Sequence, residues 1–276
     1  MMGTLYIVAT PIGNLEDVTV RALRVLREAA GILAEDTRHT RVLLDHHGIG
    51  TRPRSLHAHN ERARVAEVLE ALDEGGSIAL VSDAGTPLVS DPGERLVAAV
   101  AAAGHEVVPI PGPSAVLAAL VASGLETTPF LFVGFLPRKA GERRARLSGL
   151  ADRPETLVFF ESPRRVARTL SELAERLGDR PACLARELTK IHEELARGSL
   201  AELATRFAEG TRGEVTLVVA GAEPLPALDG AALRRAVKAA VRRGDSPKQV
   251  AADLAPSAAI PKREIYAMAQ QERDAQ

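Results

Sequence analysis

Residues 77–93 read SIALVSDAGTPLVSDPG. The opening SIALV is a short apolar run, and the loop that follows sets two Asp, two Gly and two Pro among small hydroxyl residues. A strand running into an open, turn-rich loop is what that pattern predicts. Upstream, LYIVAT runs into PIGN, and downstream HEVVPIP runs into GPSA. Amphipathic helical segments separate these runs: Val18 to Ala30, Arg41 to His46, Arg62 to Leu72, Glu94 to Ala103 and Ser114 to Ser123, with GILAED as a further strand. Short strands alternating with long helices predict an α/β fold. Pro113 is placed to open its helix at the first turn.

LETTP, near Gly124 to Pro129, breaks the rhythm, and a second series begins. It comprises FLFVGF, a basic segment from Pro137 to Leu150, TLVFFES, a helix from Arg164 to Arg176, PACLARE, a helix near Leu200 to Ala208, and GEVTLVVAG. Beyond Gly221, EPLPALDG reads as a linker to three helices, Ala231 to Arg243, Pro247 to Leu254 and Pro261 to Gln270. The expected division is residues 1–124, an N-terminal α/β domain; 125–222, a second α/β domain; and 223–276, the linker and a small helical unit. That last unit reads either as helix-turn-helix-like or as a helical cap on the body or on a second subunit.

The chain has 276 residues, 46% of them hydrophobic and 26% charged, and no run of 18 uncharged apolar residues, so a membrane span is not expected. MMGTLYIVATP lacks a basic leader region and reads as a first strand. Cys183 stands alone, which rules out an intramolecular disulfide and fits a cytoplasmic protein. The net charge of −1 is uneven: residues 225–276 carry nine Lys/Arg against six Asp/Glu, the remainder 26 against 30. With 3% aromatics and no Trp, any nucleic acid is held by charge and shape rather than by a stacking platform.

In open α/β sheets ligands sit beyond the carboxyl ends of strands, so the loops carry the chemistry. After the first strand, Pro11 and Gly13 offer side-chain-poor backbone that a ligand can approach. Neither GxGxxG nor GxxxxGK[ST] is present, so dinucleotide and Walker-type phosphate readings lose their support. Asp83 can accept hydrogen bonds from a ribose or a cationic amino group, with Gly85 keeping the backbone open; the alternative is that Asp83 and Asp91 cap the next turn and helix. Ser114 offers a hydroxyl at a helix start. His57 and His59 form a His-x-His pair, but beside Asn60 and Glu61 it reads as substrate contact or helix capping, and no metal is expected.

Taken in order, TPIGNLEDVT, AEDTRHTR, HNERAR, LVSDAGTPLVSDPG, PGPSA, FLFVGFLPRK, FFESPRR, ARELTKIHEE and GEVTLVV resemble the tetrapyrrole-methylase superfamily, and within it the ribosomal RNA small subunit methyltransferase I branch, which methylates a cytidine ribose 2′-oxygen. The resemblance spans about residues 4 to 222 and extends loosely through SPKQVAADLA and PKREIY. It implies two α/β domains facing each other across a cleft that holds S-adenosylmethionine. Carried over, Pro11, Ile12 and Gly13, then Asp83, Ala84, Gly85 and Thr86, then Ser114 and Ala115, line one wall; Phe160, Glu161 and Thr216 line the other. Corrinoid members carry a richer glycine loop and a methionine near the position of Glu161. This chain has neither, which favours an RNA acceptor over a tetrapyrrole.

The implied chemistry is an in-line methyl transfer that needs alignment and one proton acceptor. Candidates for the acceptor are Glu35, Asp36, Glu187 and Lys190, the lysine through a desolvated, lowered pKa; Glu35, Asp36 and Arg38 have a structural ion pair as their alternative. Arg38, His39, His59 and Asn60 are expected to touch substrate. Arg138, Lys139, Arg143, Arg144, Arg146, Arg164 and Arg165 are expected to meet an RNA backbone, or else to form a solvated face. The expected partner is small-subunit ribosomal RNA or the assembled subunit, bound by a homodimer. Porphyrinoid C-methylation and a non-catalytic ribosome-assembly role remain the alternatives.

Overall fold

The computed structural model describes residues 3–57, 60–223, 228–258 and 260–275. His59, and residues 224–227 of the expected linker, lie outside them. Residues 1–221 form one compact unit and residues 222–276 a second.

The first unit is built on two five-stranded sheets. In the first, β1 (Thr4–Val8), β2 (Gly31–Ala34), β3 (Pro53–Ser55), β4 (Ser77–Val81) and β5 (Glu106–Ile110) lie in the order β3-β2-β4-β1-β5, and every pairing is parallel. Helices α1 (Val20–Glu28), α2 (Thr37–His46), α3 (Glu61–Asp73) and α4 (Glu94–Ala102) make the crossovers. Their apolar faces divide between the two sides of the sheet: Leu26, Leu43 and Leu44 pack with Val8 and Ile32, while Val68, Leu72, Leu96 and Val100 pack with Leu5, Leu33 and Leu80. This is why GILA and IALV carry no polar alternation, since a parallel sheet covered on both faces buries every side chain.

The strand order positions the loops. Because β4, β1 and β5 are neighbours and run the same way, the loops after them, 82–93, 9–14 and 111–114, emerge side by side at one sheet edge. Thr10 and Gly85 exchange backbone hydrogen bonds of 2.9 and 3.0 Å, locking the first two together, and Thr86 Oγ1 donates to Pro113 O at 3.5 Å to tie in the third. Gly85 has φ +80°, and a Cβ there would lie 3.3 Å from Ile12 Cγ2. Only glycine takes that backbone without strain against the neighbouring loop.

The second sheet, β6 (Phe130–Phe135), β7 (Thr156–Glu161), β8 (Pro181–Arg186), β9 (Glu194–Ser199) and β10 (Val215–Val219), has the order β6-β7-β10-β8-β9. Only β6 and β7 pair in parallel; the rest is antiparallel. On one face pack α6 (Ala140–Ser148), α7 (Val166–Leu177) and α8 (Leu200–Arg206), with Leu147, Leu170, Leu173 and Leu203 against Phe159 and Leu217. On the other lies α5 (Ala115–Ala122), which follows β5 of the first sheet yet buries Val116, Ala119 and Leu120 against Val158, Cys183 and Val218 of the second. One helix thus welds the sheets together.

Strands β3 and β9 were not expected from the sequence, being a three-residue edge and the polar run ELARGS. Pro113 does not open α5; Ser114 is its N-cap, accepting from Leu117 N at 3.4 Å. The second unit has its own core of Leu233, Val237, Val241, Val250 and Ile265, from α9 (Gly230–Arg242), α10 (Pro247–Leu254) and α11 (Lys262–Asp274). Asp229 and Ser246 cap the first two of these helices, as their residue types dictate.

Candidate active site

Two cavities open where the loops of the first sheet face the strand ends of the second. The larger, about 540 Å³, is lined by Ile12, Glu35, Asp83 to Thr86, Val89 to Asp91, Ser114 to Val116 and Phe135 on its approach from the first sheet and β6, and by Phe160 to Pro163, Ala185, Leu188 and Gly213 to Thr216 opposite. The smaller, about 320 Å³, adjoins it and shares Ile12, Asp83, Ala84 and Glu214; Pro11, Gly13, Leu15, His39, Thr40, Val42 and Lys190 are among the residues that complete it. Of the residues expected at the site, Ile12, Asp83, Ala84, Gly85, Thr86, Ser114, Ala115, Phe160, Glu161, Thr216 and Glu35 meet in the larger cavity. Pro11, Gly13, His39 and Lys190 meet in the smaller.

No lysine or arginine lines the larger cavity among the described residues, whereas Glu35, Asp83, Asp91, Glu161 and Glu214 all do. Asp83 and Asp91 are free of helix duty. The N-cap of α4 is Gly93, and the amides of Arg95 and Leu96 donate instead to Glu61 Oε1 at 3.1 and 3.3 Å. Asp83 Oδ1 accepts from Asp36 N at 2.9 Å, and its carbonyl lies 3.0 Å from His39 Nδ1, which must carry the proton because a carbonyl can only accept. Burial, then the charges of Glu35 and Asp83, push the Asp91 carboxyl up to about 6 against the lowering effect of a Ser82 hydrogen bond. Glu35 is raised likewise, by desolvation first and then by Asp83 and Asp36. A wall of mutually repelling carboxylates is relieved by a cation.

Glu161 serves structure as well as lining. Its side chain is buried, accepting from Thr169 Oγ1 at 2.6 Å and Ser162 N at 2.7 Å, and paired with Arg165 at 3.2 Å. Phe160 meets Phe132 edge-on at 5.0 Å and Phe135 at 5.6 Å, placing an aromatic floor beside Val116 and Leu188.

Across the smaller cavity Lys190 donates to Glu187 Oε1 at 2.9 Å and to Glu214 Oε2 at 3.0 Å. Burial draws the Lys190 pKa down, but these two hydrogen bonds and the carboxylate charges outweigh it and leave it raised. The expected lowering is therefore reversed, and the ammonium is held charged. Glu187 is correspondingly lowered, first by Lys190 and then by its bond from Glu214 N. The aliphatic stem of Lys190 lies on Gly13, where a Cβ would come within 2.5 Å of Lys190 Cγ. Gly13 thus admits a side chain from the facing sheet, a reason for the glycine that the sequence did not disclose.

Other expected residues stand elsewhere. Asp36 caps α2 through Arg38 N at 2.9 Å and ion-pairs with Arg38 at 2.6 Å; the hydrogen bonds from Arg38 lower its pKa, and it lines neither cavity. Asn60 accepts from His57 N and donates to Ser55 O, bracing the loop after β3; it stands at the N-cap position of α3 but gives that helix no side-chain hydrogen bond. Arg143 is a correction: it is 3% exposed and grips Glu172 and the carbonyls of Pro137 and Arg138, so it offers nothing to an RNA backbone. Arg165 donates to Leu136 O besides pairing with Glu161. Arg138, Arg144, Arg146 and Arg164 are exposed, and Lys139 is exposed beside Glu142. Asp91, Glu214, Phe135 and Leu188 are not among the ligand contacts expected from the sequence; each stands inside one of the ordered motifs, and only the strand order shows that it faces the cavity.

The two facing loops also hold unusual backbone. Leu88 and Ser90 have φ of 72° and 75°, and Glu187 and Thr189 have φ of 51° and 68°. Non-glycine residues held in this region cluster at functional sites, where surrounding structure sustains the strain.

Residues 4–204 match the family described as Tetrapyrrole (Corrin/Porphyrin) Methylases. A protein named ribosomal RNA small subunit methyltransferase I from Micromonospora olivasterospora is 47% identical over 96% of this chain and 85% of its own length. A protein of the same name from Synechocystis sp. is 46% identical over 96% of each. Among solved structures, the uroporphyrin-III-C-methyltransferase of Thermus thermophilus superposes with a TM-score of 0.55 at 24% identity, covering 80% of this chain and 94% of that one, a likeness of fold. With an all-parallel sheet facing a mixed one over an acidic cleft, and relatives nearly half identical along almost its whole length, the chain belongs to the tetrapyrrole (corrin/porphyrin) methylases and, among them, to the ribosomal RNA small subunit methyltransferase I family.

Proposed function

We propose that the chain binds S-adenosylmethionine in the larger cavity and directs its methyl group to the ribose 2′-hydroxyl of a cytidine in small-subunit (16S) ribosomal RNA. The observation that carries this reading is the cavity's lining, five carboxylates and, among the described residues, no lysine or arginine, around an apolar patch of Ile12, Val116, Phe160 and Leu188. Such a wall suits a ligand with a positively charged sulfonium and ammonium and an aromatic base, and repels the phosphates of a dinucleotide. When bound, that ligand supplies an electrophilic methyl group whose departure leaves a neutral thioether, so no metal is needed to stabilise the leaving group.

In this reading Asp83, with Glu35 and Asp91, faces the cationic groups. The backbone of Ala84, Gly85 and Thr86 and the start of α5 at Ser114 and Ala115 supply hydrogen bonds, and Phe160 and Thr216 close the opposite wall. Pro11, Gly13, His39 and Lys190 stand on the acceptor's side, with Glu187 holding Lys190. Exposed Arg138, Lys139, Arg144, Arg146 and Arg164 supply charge for an RNA backbone, which makes affinity fall with salt. A polycarboxylate macrocycle fits worse, because the space beside the larger cavity is about 320 Å³ and is bounded by Asp83 and Glu214. Action as a homodimer in the cytoplasm belongs to the same proposal, and sedimentation velocity at micromolar protein tests the pairing.

The function is tested by following tritiated methyl transfer into small ribosomal subunits that lack the mark. The wild-type chain is expected to label ribose 2′-oxygens of cytidine, and Asp83→Ala to weaken cofactor binding by at least ~tenfold, the scale of a lost charge-assisted hydrogen bond. Labelling of a uroporphyrinogen-type substrate in place of RNA would overturn it.

A further inference from the structure

We infer that the smaller cavity receives the acceptor nucleoside and that Glu214, on the boundary between the two cavities, is the base that takes the 2′-hydroxyl proton, with Lys190 as its positioning residue. This rests on the reading of the larger cavity as the cofactor's.

The argument begins with the boundary. A methyl group passing in line from one ligand to another must cross where the two cavities meet, and four residues line both: Ile12, Asp83, Ala84 and Glu214. Two of these are carboxylates. Asp83 is taken up by the larger cavity, where it faces the cofactor's cationic groups, and its Oδ1 accepts from Asp36 N. The Glu214 side chain accepts one hydrogen bond among the described residues, from Lys190 Nζ to Oε2 at 3.0 Å, and is 70% exposed. A second lone-pair-bearing oxygen is therefore open to a hydroxyl.

Charge supports the same assignment. One ammonium is shared by two carboxylates, Glu187 and Glu214, so the cluster carries a net −1. A proton arriving on Glu214 brings it to zero and leaves the Lys190–Glu187 pair intact. Lys190 cannot itself be the acceptor, because both partners hold its proton in place. Glu187 accepts from Lys190 Nζ and from Glu214 N and lines neither cavity.

The cavity has its own sign of an occupant. Thr40 lines it, is only 5% exposed, and its Oγ1 has no hydrogen-bond partner among the described residues. A buried hydroxyl left unsatisfied is costly unless a ligand completes it. Leu15, Val42 and Leu43 supply an apolar side, and a volume of about 320 Å³ suits one nucleoside splayed from its strand. In the step itself the 2′-oxygen forms a bond to the methyl carbon, the sulfur–carbon bond breaks with its electron pair staying on sulfur, and the hydroxyl proton passes to the Glu214 carboxylate.

Two measurements test this. Single-turnover methyl transfer at saturating cofactor, on small subunits lacking the mark, is expected to fall at least ~100-fold in Glu214→Gln, within the usual range for a lost general base. The acid limb of the wild-type pH–rate profile is expected to vanish in that variant, at cofactor concentrations that saturate both proteins. His39→Gln is expected to keep the limb. Separately, millimolar cytidine is expected to shift the methyl resonances of Val42, Leu43 and Leu15 in NMR spectra of the full chain. Wild-type transfer with Glu214→Gln retaining both rate and limb, or His39→Gln losing the limb instead, would overturn the base assignment while methyl transfer to RNA stands. Shifts confined to residues outside the smaller cavity would overturn the cavity assignment. Failure of the wild-type chain to label any RNA would sink the functional reading and this inference together.

Discussion

At residue scale the acidic wall makes the cofactor's affinity depend on pH. The Asp91 carboxyl stands at about 6, above the ordinary 3.8, so the folded chain binds that proton more tightly than the unfolded one. Stability is accordingly lost as pH rises from 3.8 towards about 6, and a cation on the wall relieves that cost by favouring the ionised form. Cofactor affinity should therefore weaken by about tenfold between pH ~7.5 and ~5, and binding near pH ~6 should release protons, read by calorimetry in buffers of different ionisation heat. Asp91→Asn should flatten the dependence; an unchanged profile in that variant would dismiss Asp91 as its source. Gly13 gives a second expectation. Alanine there places its Cβ 2.5 Å from Lys190 Cγ, so the lysine stem that carries the ammonium to its two carboxylates must shift. Gly13→Ala should slow methyl transfer by ~tenfold or more with cofactor affinity nearly unchanged, because Gly13 lines only the smaller cavity.

At the scale of elements, α2 shows how one motif divides its labour. AEDTRHTR contributes a cap, an ion pair, a histidine at the smaller cavity and a carboxylate at the larger, because consecutive residues around a helix start point in different directions. Asp36 belongs to the cap. Asp36→Ala should lower the midpoint of urea-induced unfolding, as loss of an N-cap does, and leave transfer within about threefold. Loss of transfer at full stability would instead make Asp36 part of the chemistry. The second sheet teaches a related lesson. Alternating strands and helices predicted its existence, but β8 and β9 form an antiparallel hairpin whose connection, residues 187–193, carries Glu187 and Lys190 to the cleft. ELARGS, at the sheet edge, has neither an apolar run nor a regular alternation, so its residues carry no strand signal of their own.

For the whole molecule, every residue lining the two cavities lies within residues 1–221, and the helical unit that follows has a core of its own. A chain ending at Gly221 should fold cooperatively and bind the cofactor within about twofold of the full chain, with RNA affinity and its salt slope reduced by loss of the basic tail. Failure of the shortened chain to fold would show that the second unit is needed for the first. The sequence by itself determined what local rules can carry. Periodicity set most strands and helices, capping residues set helix starts at Ser114, Asp229 and Ser246, and ordered motifs named the family and the three ligand loops. Only the tertiary structure decided what depends on neighbours distant in sequence: the β4-β1-β5 adjacency that gathers those loops, the burial that ties Arg143 to Glu172, the lysine lying on Gly13, and the place of Glu214 between two cavities. Dihedral preference and side-chain periodicity act over a few residues, whereas charge, burial and cavity shape are sums over atoms that only folding brings together.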